Sequence, residues 1–131
     1  MLNELEKNLL HEISGLDGIP ATGAFNLRAN GKGVERRSTE HIQIIPKTDK
    51  PGIDIHIAPD TPFESVHIPV MLTESGLNDL VYNDFYIGEG ATAEIVAGCG
   101  INNCGCDTTQ HDGIHTFHVG KNARVRYVER H

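Results

Sequence analysis

The sequence contains no tryptophan and few other aromatic residues, with three tyrosines and four phenylalanines in 131 residues. Isoleucine and valine dominate the large apolar residues instead, and such branched side chains favour strands that stack in layers. The length is that of one domain, and an apolar content of 38% suits a folded chain rather than a disordered one. The composition therefore predicts a mainly β domain.

The chain has no excess of positive charge, since 11 lysines and arginines stand against 18 acidic residues and the net charge is −7. Non-specific nucleic-acid binding needs a broad basic face, so we expect no nucleic-acid partner. A small basic strip occurs at Arg124, Arg126 and Arg130. We interpret it as the solvated face of a strand.

Membrane and nucleotide-binding signals are also missing. No apolar run approaches the roughly 18 residues of a membrane span, and acidic residues interrupt the N-terminal segment where a signal peptide needs a continuous apolar core. We therefore expect neither a membrane span nor a signal peptide. The P-loop pattern is absent as well, so any ATP chemistry has to come from a partner.

An amphipathic pattern at the N-terminus predicts a short helix. Apolar residues recur there at spacings of three and four: Leu2, Leu5, Leu9 and Ile13. Helix-breaking residues follow: Gly15, Gly18 and Pro20. We expect residues 1–20 to form an N-terminal helix and linker, and residues 21–131 to form the main domain.

From residue 41 onward the apolar period changes to two, which is the period of strands. The alternation is regular over residues 53–57, and it recurs over residues 41–44 and 66–68. Proline and glycine lie between these runs. Pro69 has no backbone N–H, so we expect its strand to be interrupted or to have a free edge there.

Residues 85–96 and 117–128 form an internal repeat with an offset of 32 residues. Both copies contain a glycine, a charged residue and then Gly or Asn, followed by alanine and renewed alternation. Gly88 and Gly120 allow positive φ without steric cost, and Gly90 and Asn122 are the residue types that best tolerate left-handed geometry. Each copy therefore predicts a strand, a tight corner and a second strand.

A repeat of this length that is built from strands predicts stacked coils, that is, a β-solenoid. Because one coil of a parallel β-helix is expected to be shorter than 32 residues, we expect an insertion over residues 98–113. The alternative is an ordinary hairpin corner that is used twice in a sandwich or barrel.

The candidate site lies in residues 98–118, which contain three cysteines and three histidines. Thiolates and imidazoles are the ligands that zinc, ferrous iron or an iron–sulfur cluster requires. The candidate metal ligands are Cys99, Cys104, Cys106, His111 and His115. On a strand His118 projects away from His115, so we do not expect all six side chains to meet.

Three other interpretations of the same segment stay open. In the first, the segment is a glycine-rich loop whose small cysteines pack against the fold. In the second, the segment contains a low-pKa thiol that handles redox or sulfur chemistry. A cysteine hydrolase would use Cys104 or Cys106 with His111 or His115 as base and Asp112 as the orienting acid.

The clustered, odd cysteine count without an export signal predicts reduced thiols and a cytoplasmic protein.

Several strings resemble the SufB/SufD family of iron–sulfur cluster assembly proteins, and the resemblance covers most of residues 20–131. Upstream these are residues 24–28 and 52–55, and downstream they are residues 66–70, 81–85, 95–101, 110–115 and 119–123. The match is closest to short SufD-like members of archaea and anaerobic bacteria.

The resemblance implies a right-handed parallel β-helix and a part in building iron–sulfur clusters on a scaffold. We therefore expect a non-enzymatic component of the SUF system, with an iron–sulfur cluster or iron as the candidate cofactor. The resemblance also implies a SufC-like ATPase as partner and pairing with a second SufB/SufD-like subunit into a homo- or hetero-oligomer. Such proteins are sometimes labelled ABC transporter components. Family members are roughly twice as long, so we expect the chain to be the N-terminal part of one, truncated at its C-terminus.

Two alternatives remain beside the scaffold interpretation. One is a small metal-binding β-helical protein that uses the Cys/His-rich segment 98–118. The other is a structural interaction module, which would bind no metal and behave unchanged when all three cysteines become serine.

Overall fold

The computed structural model describes residues 23–101 and 109–130, together with Glu4, Lys7, Asn8, Leu10 and His11. The described chain is mainly β, which confirms the fold class at that level. It contains nine strands: β1 (Ala24–Ala29), β2 (Lys32–Arg37), β3 (Ile42–Pro46), β4 (Gly52–Ile57), β5 (Glu64–Leu72), β6 (Asn78–Ile87), β7 (Thr92–Ile101), β8 (Gln110–Val119) and β9 (Arg124–Arg130).

The predicted N-terminal helix lies mostly outside the described residues. The five described residues of this segment are in helical conformation, but they are not continuous and define no helix as an element. Leu10 is fully buried and packs against Phe25, Leu27 and Met71 of strands β1 and β5. The boundary between residues 20 and 21 also lies outside the described part. Among the described residues no helix is long and apolar enough to cross a bilayer.

The strands form two mixed sheets. Sheet 1 has the order β2-β1-β5-β7-β9, and sheet 2 has the order β3-β4-β6-β8. The pairs β1–β2 and β3–β4 are antiparallel, whereas every other pair is parallel. From β4 to β9, strands that follow each other in the chain alternate between the two sheets, and each of β4 to β7 pairs with the strand two positions further on.

The internal repeat sets the register of this pairing. Phe85 lies opposite Phe117, and Val96 lies opposite Val128, so the two copies run side by side. The pair Asn83 and His115 shows the same separation of 32 residues. Contacts between paired strands nearer the N-terminus show similar sequence separations, 30 residues between Ile53 and Asn83 and 29 between residues 65 and 94. The spacing of 32 is therefore close to the ordinary one in this chain.

The expected insertion over residues 98–113 is wrong for the residues that the structure describes there. Residues 98–101 belong to β7, and residues 110–113 belong to β8. Only residues 102–109 lie between the two strands, and residues 102–108 are outside the described part. No insertion is needed, because paired strands elsewhere in the chain are separated by 29 and 30 residues, close to the 32 residues of the repeat.

The left-handed corner residues were predicted correctly. Gly90 has a φ of 73° and Asn122 a φ of 60°. Asp60 occupies a third corner of the same kind, with a φ of 57°, and its N–H donates to the carbonyl of Glu89 in the next corner. Aspartate, like asparagine, tolerates this conformation. The sequence pattern showed two copies of the corner, and the structure adds a third.

Gly88 and Gly120 are glycines for a different reason from the one predicted, since neither has a positive φ. A Cβ on Gly88 would lie 2.5 Å from the backbone nitrogen of Pro59. A Cβ on Gly120 would lie 2.8 Å from the backbone nitrogen of Glu89. Successive corners approach so closely that a side chain at either glycine would meet backbone atoms of the preceding corner.

Pro69 has a one-sided effect on its strand. β5 (Glu64–Leu72) is continuous, and it pairs with β7 through Pro69 and Gly98. Its pairing with β1 includes Val66, His67, Val70 and Met71 but neither Ile68 nor Pro69. The predicted interruption of the strand is therefore wrong, and the only gap next to Pro69 is in the pairing with β1, over Ile68 and Pro69.

The space between the two sheets has an apolar part and a polar part. The apolar core is formed by inward-facing residues of both sheets, including Ile53, Ile55, Ile57, Val66, Phe85, Ile87 and Ile95. Further along the strands the inward positions become polar, and Asn26, Asp79 and Asn83 are buried there. Buried polar groups are costly unless they are hydrogen-bonded, so this polar part is a candidate position for a functional site.

Candidate functional site

Three of the five candidate ligands line one cavity in the polar part between the sheets. Cys99 lies on β7, and His111 and His115 lie on the inward face of β8. The cavity has a volume of about 440 Å³, and Asn83 and Glu129 also line it. The other two candidates, Cys104 and Cys106, lie outside the described residues.

His111 is oriented by a buried carboxylate. Asp79 lies directly opposite it on β6, and Oδ2 of Asp79 is 2.9 Å from Nδ1 of His111. Arg28 of β1 reaches across from the other sheet and donates to both oxygens of the same carboxylate, at 3.0 Å from Nε and 2.7 Å from Nη2. The side chain of Asp79 is 4% exposed and that of His111 is 10% exposed.

This network keeps Asp79 ionised. Burial alone would raise the pKa of the Asp79 carboxyl, but the hydrogen bonds from Arg28 and His111 bring that pKa below its ordinary value. An ionised Asp79 accepts the Nδ1–H of His111. In the neutral imidazole this leaves Nε2 of His111 unprotonated and able to bind a ligand.

His115 has a weaker polar partner. The amide nitrogen of Asn83 is 3.5 Å from Nδ1 of His115, and the Asn83 oxygen accepts the N–H of Ile53 at 3.2 Å. Burial lowers the pKa of His115, and Glu129 opposes this shift while His111 adds to it. The His115 imidazole is therefore neutral at neutral pH.

Gly113 lies between the two histidines on β8 and leaves a hollow between their rings. A Cβ on Gly113 would be 2.9 Å from Nε2 of His115 and 3.8 Å from Nε2 of His111. Both Nε2 atoms therefore lie close to one point above the glycine. Residues 111, 113 and 115 share a face because successive side chains of a strand alternate.

Cys99 is not an activated thiol. Burial, together with the negative charges of Asp79 and Glu129, raises the pKa of the Cys99 thiol to about 11. A thiol with this pKa is protonated at neutral pH and is a poor nucleophile. For Cys99, the structure favours packing over redox or sulfur chemistry by a low-pKa thiol.

Asp112 does not orient a histidine, as the hydrolase hypothesis required. Its carboxylate accepts a hydrogen bond from the Gln110 amide at 2.5 Å on the exposed side of β8. Asp79 takes the orienting position instead, and the sequence interpretation missed it. The repeat contained the signal, because the offset of 32 residues that aligns the two copies also pairs Asp79 with His111.

The described residues do not form a complete metal site. In residues 23–101 and 109–130, no three Cys, His, Asp or Glu side chains are arranged to hold a metal ion. Cys99, His111 and His115 share a cavity but do not converge as a full ligand set. An iron–sulfur cluster held here would need further ligands.

His118 points away from this cavity, as its phase on the strand predicted. It lies on the outer face of sheet 2, where its ring stacks on Tyr86 with centroids 4.5 Å apart. Tyr86 in turn stacks on His56 at 4.7 Å. Nε2 of His118 is 3.0 Å from a carboxylate oxygen of Asp84. His118 is therefore separated from His111 and His115 by the sheet itself.

The fold and the site thus define a mainly β chain with a polar cavity between two mixed sheets. No family model matches this chain, and no significant match was found among curated proteins or solved structures.

Proposed function

We propose that this chain is a component of the SUF scaffold on which iron–sulfur clusters are assembled, in the cytoplasm and together with a SufC-type ATPase. In this role the chain is not an enzyme, and the cluster or its iron is its cargo. The proposal starts from the strings over residues 20–131 that resemble the SufB/SufD family. The lack of a P-loop in the sequence is consistent with ATP hydrolysis by a partner.

The strand order supports the solenoid that this family resemblance implies. We propose that the pairs β4 with β5, β6 with β7 and β8 with β9 are successive coils of a right-handed parallel β-helix. Consecutive strands alternate between two sheets, and each coil stacks in parallel on the previous one. Parallel strands joined through a crossover are nearly always right-handed.

The observation that carries the proposal is the shared cavity of Cys99, His111 and His115. Soft sulfur and imidazole nitrogen are the donors that iron and its clusters prefer. Cys104 and Cys106 follow Cys99 closely in sequence and add two thiols of the same kind. The proposed cargo ligands are therefore Cys99, His111 and His115, with Cys104 and Cys106 as further candidates.

The test is made on the full chain co-expressed with a SufC-type ATPase and a second SufB/SufD-like subunit. We expect a stable complex in size-exclusion chromatography. We also expect a sulfur-to-iron charge-transfer band after anaerobic reconstitution with iron and sulfide. The band should be lost when Cys99, Cys104 and Cys106 are all replaced by serine, while the complex should persist.

A complex that forms without any band would leave a structural scaffold role and reject cluster binding by this chain. Failure to form a complex with the ATPase, or with the second subunit, would reject the proposed partnership. The alternative function, a small metal-binding protein, is favoured by the histidine pair of β8 and predicts metal binding by the chain alone.

A further inference from the structure

The hollow above Gly113 has the shape of a metal site with two histidine ligands. Nε2 of His115 and Nε2 of His111 lie 2.9 and 3.8 Å from the point where a Cβ of Gly113 would sit. An imidazole nitrogen binds zinc at about 2.0–2.1 Å, so a small rotation of each ring lets one ion reach both atoms. We infer that this hollow binds a single divalent transition-metal ion of the Zn²⁺, Co²⁺ or Fe²⁺ class through Nε2 of His111 and His115.

His111 already has the orientation of a metal ligand. Its Nδ1 donates to Asp79, and metal-binding histidines nearly always donate their second ring N–H to a carboxylate or carbonyl in this way. Arg28 holds Asp79 with two hydrogen bonds from the opposite sheet. Because the Asp79 side chain is only 4% exposed, the acceptor is fixed before any metal arrives.

His115 needs one adjustment. Coordination through Nε2 places a proton on Nδ1, which then faces the amide nitrogen of Asn83, also a donor. This contact is long, at 3.5 Å, so little is lost when it breaks. An acceptor in place of the Asn83 amide nitrogen would favour the metal-binding form of His115.

The remaining coordination positions open into the cavity, which Cys99 and Glu129 also line. Sulfur, carboxylate oxygen and water are all acceptable ligands for this class of ion. Two histidine nitrogens with open positions make an exchangeable site rather than a closed structural one. The inference uses the cavity of the proposed function, but it requires neither a cluster nor the ATPase.

The test uses the full chain carrying Cys104→Ser and Cys106→Ser, so that the loop thiols do not contribute. Anaerobic titration with Co²⁺ is followed by visible absorption, and Zn²⁺ binding by calorimetry. We expect one ion per chain, with affinity reduced at least about tenfold in His111→Gln and in His115→Gln. His118→Gln is the matched control, because His118 lies on the same strand but on the opposite face, and it should bind like the parent.

Two further variants test the geometry without removing a ligand. Gly113→Ala places a methyl group in the hollow and should weaken binding. Asn83→Asp supplies an acceptor for Nδ1 of His115 and should strengthen binding. Circular dichroism establishes that each variant is folded, and only folded variants are compared.

The inference is overturned if the folded parent binds no Co²⁺, if His111→Gln and His115→Gln bind like the parent, or if His118→Gln loses binding equally. If the chain binds Co²⁺ but no cluster can be reconstituted on it, only the cluster-binding part of the scaffold proposal is rejected. A cluster on a chain that does not bind Co²⁺ would reject only the two-histidine site.

Discussion

Asp79 and His111 lie directly opposite each other on neighbouring parallel strands, with Oδ2 of Asp79 at 2.9 Å from Nδ1 of His111. Arg28 closes the network from the other sheet. The same carboxylate thus joins the two sheets and orients a candidate ligand, so stability and site geometry depend on one residue.

Replacing Asp79 by asparagine should destabilise the fold. The change leaves the mostly buried Arg28 without its charged partner, and breaking a buried ion pair by removing one partner costs about 3 kcal/mol. Urea unfolding of Asp79→Asn measures the loss. Asp112→Asn is the control, because Asp112 is exposed on the other face of β8 and its loss should cost little. An Asp79→Asn variant as stable as the parent would show that the network contributes nothing to folding.

Replacing Gly88 by alanine should also destabilise the fold. The new Cβ would lie 2.5 Å from the backbone nitrogen of Pro59, so the stacked corners have to separate. Overpacking of this kind costs about 1–3 kcal/mol. Gly33→Ala is the matched control, because its Cβ would meet only the end of the flexible Arg36 side chain at 3.4 Å. Equal stability of the two variants would contradict the proposed close approach.

Cys99 should react slowly with iodoacetamide at neutral pH. Its pKa is raised to about 11, so its thiolate fraction at pH 7.5 is more than about 100-fold below that of an ordinary cysteine. Mass spectrometry of the Cys104→Ser, Cys106→Ser chain over a pH series measures the labelling rate of the one remaining thiol. The rate should keep rising beyond pH 9. Rapid labelling at pH 7.5 would instead indicate an exposed, activated thiol.

Acid should weaken the ion pairs that Lys47 forms with Asp54 and Asp84 on the outer face of sheet 2. Nζ of Lys47 is 2.6 Å from a carboxylate oxygen of Asp54 and 2.6 Å from one of Asp84. The hydrogen bond from Lys47, helped by His118, lowers the pKa of Asp84. A carboxyl with a lowered folded-state pKa stabilises the fold above its unfolded pKa of about 3.9, and this stabilisation is lost as the pH falls through the folded value.

The contribution of these ion pairs is measured as the free energy of unfolding in urea between pH 3 and pH 7. The parent should lose stability below about pH 4, and Asp84→Asn should lose less over the same range because its amide does not titrate. Glu89→Gln is a control on the exposed corner and should follow the parent. An identical acid response in Asp84→Asn and the parent would rule out a contribution from this carboxyl.

The strands after residue 41 and the correspondence of the two repeat copies were predictable because both depend on local, periodic patterns. β1 (Ala24–Ala29) and β2 (Lys32–Arg37) lie before the alternating region and were not predicted. Alternation over residues 53–57 predicted which side chains of β4 face inward, and Ile53, Ile55 and Ile57 are buried as expected. The repeat predicted that Phe85 would correspond to Phe117, and the two lie opposite each other in sheet 2. His118 was predicted to point away from His115, and it stacks on the outer face.

The site was only partly predictable, because its contacts join residues that no local pattern connects. Cys99, His111 and His115 were expected to lie near one another, but the cavity that they share depends on the packing of two sheets. The hydrolase hypothesis uses Asp112, which is adjacent to His111 in sequence, whereas the actual partner, Asp79, is 32 residues away. Gly88 was predicted to allow a positive φ, but the position requires glycine because a Cβ there would meet the backbone of Pro59 in the preceding corner.

The sequence by itself determined the mainly β fold class, the inward and outward phase of each repeat copy, and the left-handed corners at Gly90 and Asn122. These are properties of backbone conformation and side-chain alternation, which neighbouring residues specify. Only the tertiary structure decided that Arg28, Asp79 and His111 form one network and that two histidines flank an open hollow. Burial makes an unpaired charge or polar group costly, so the polar residues that face each other between the sheets must pair, and only the packing of the sheets determines which ones meet.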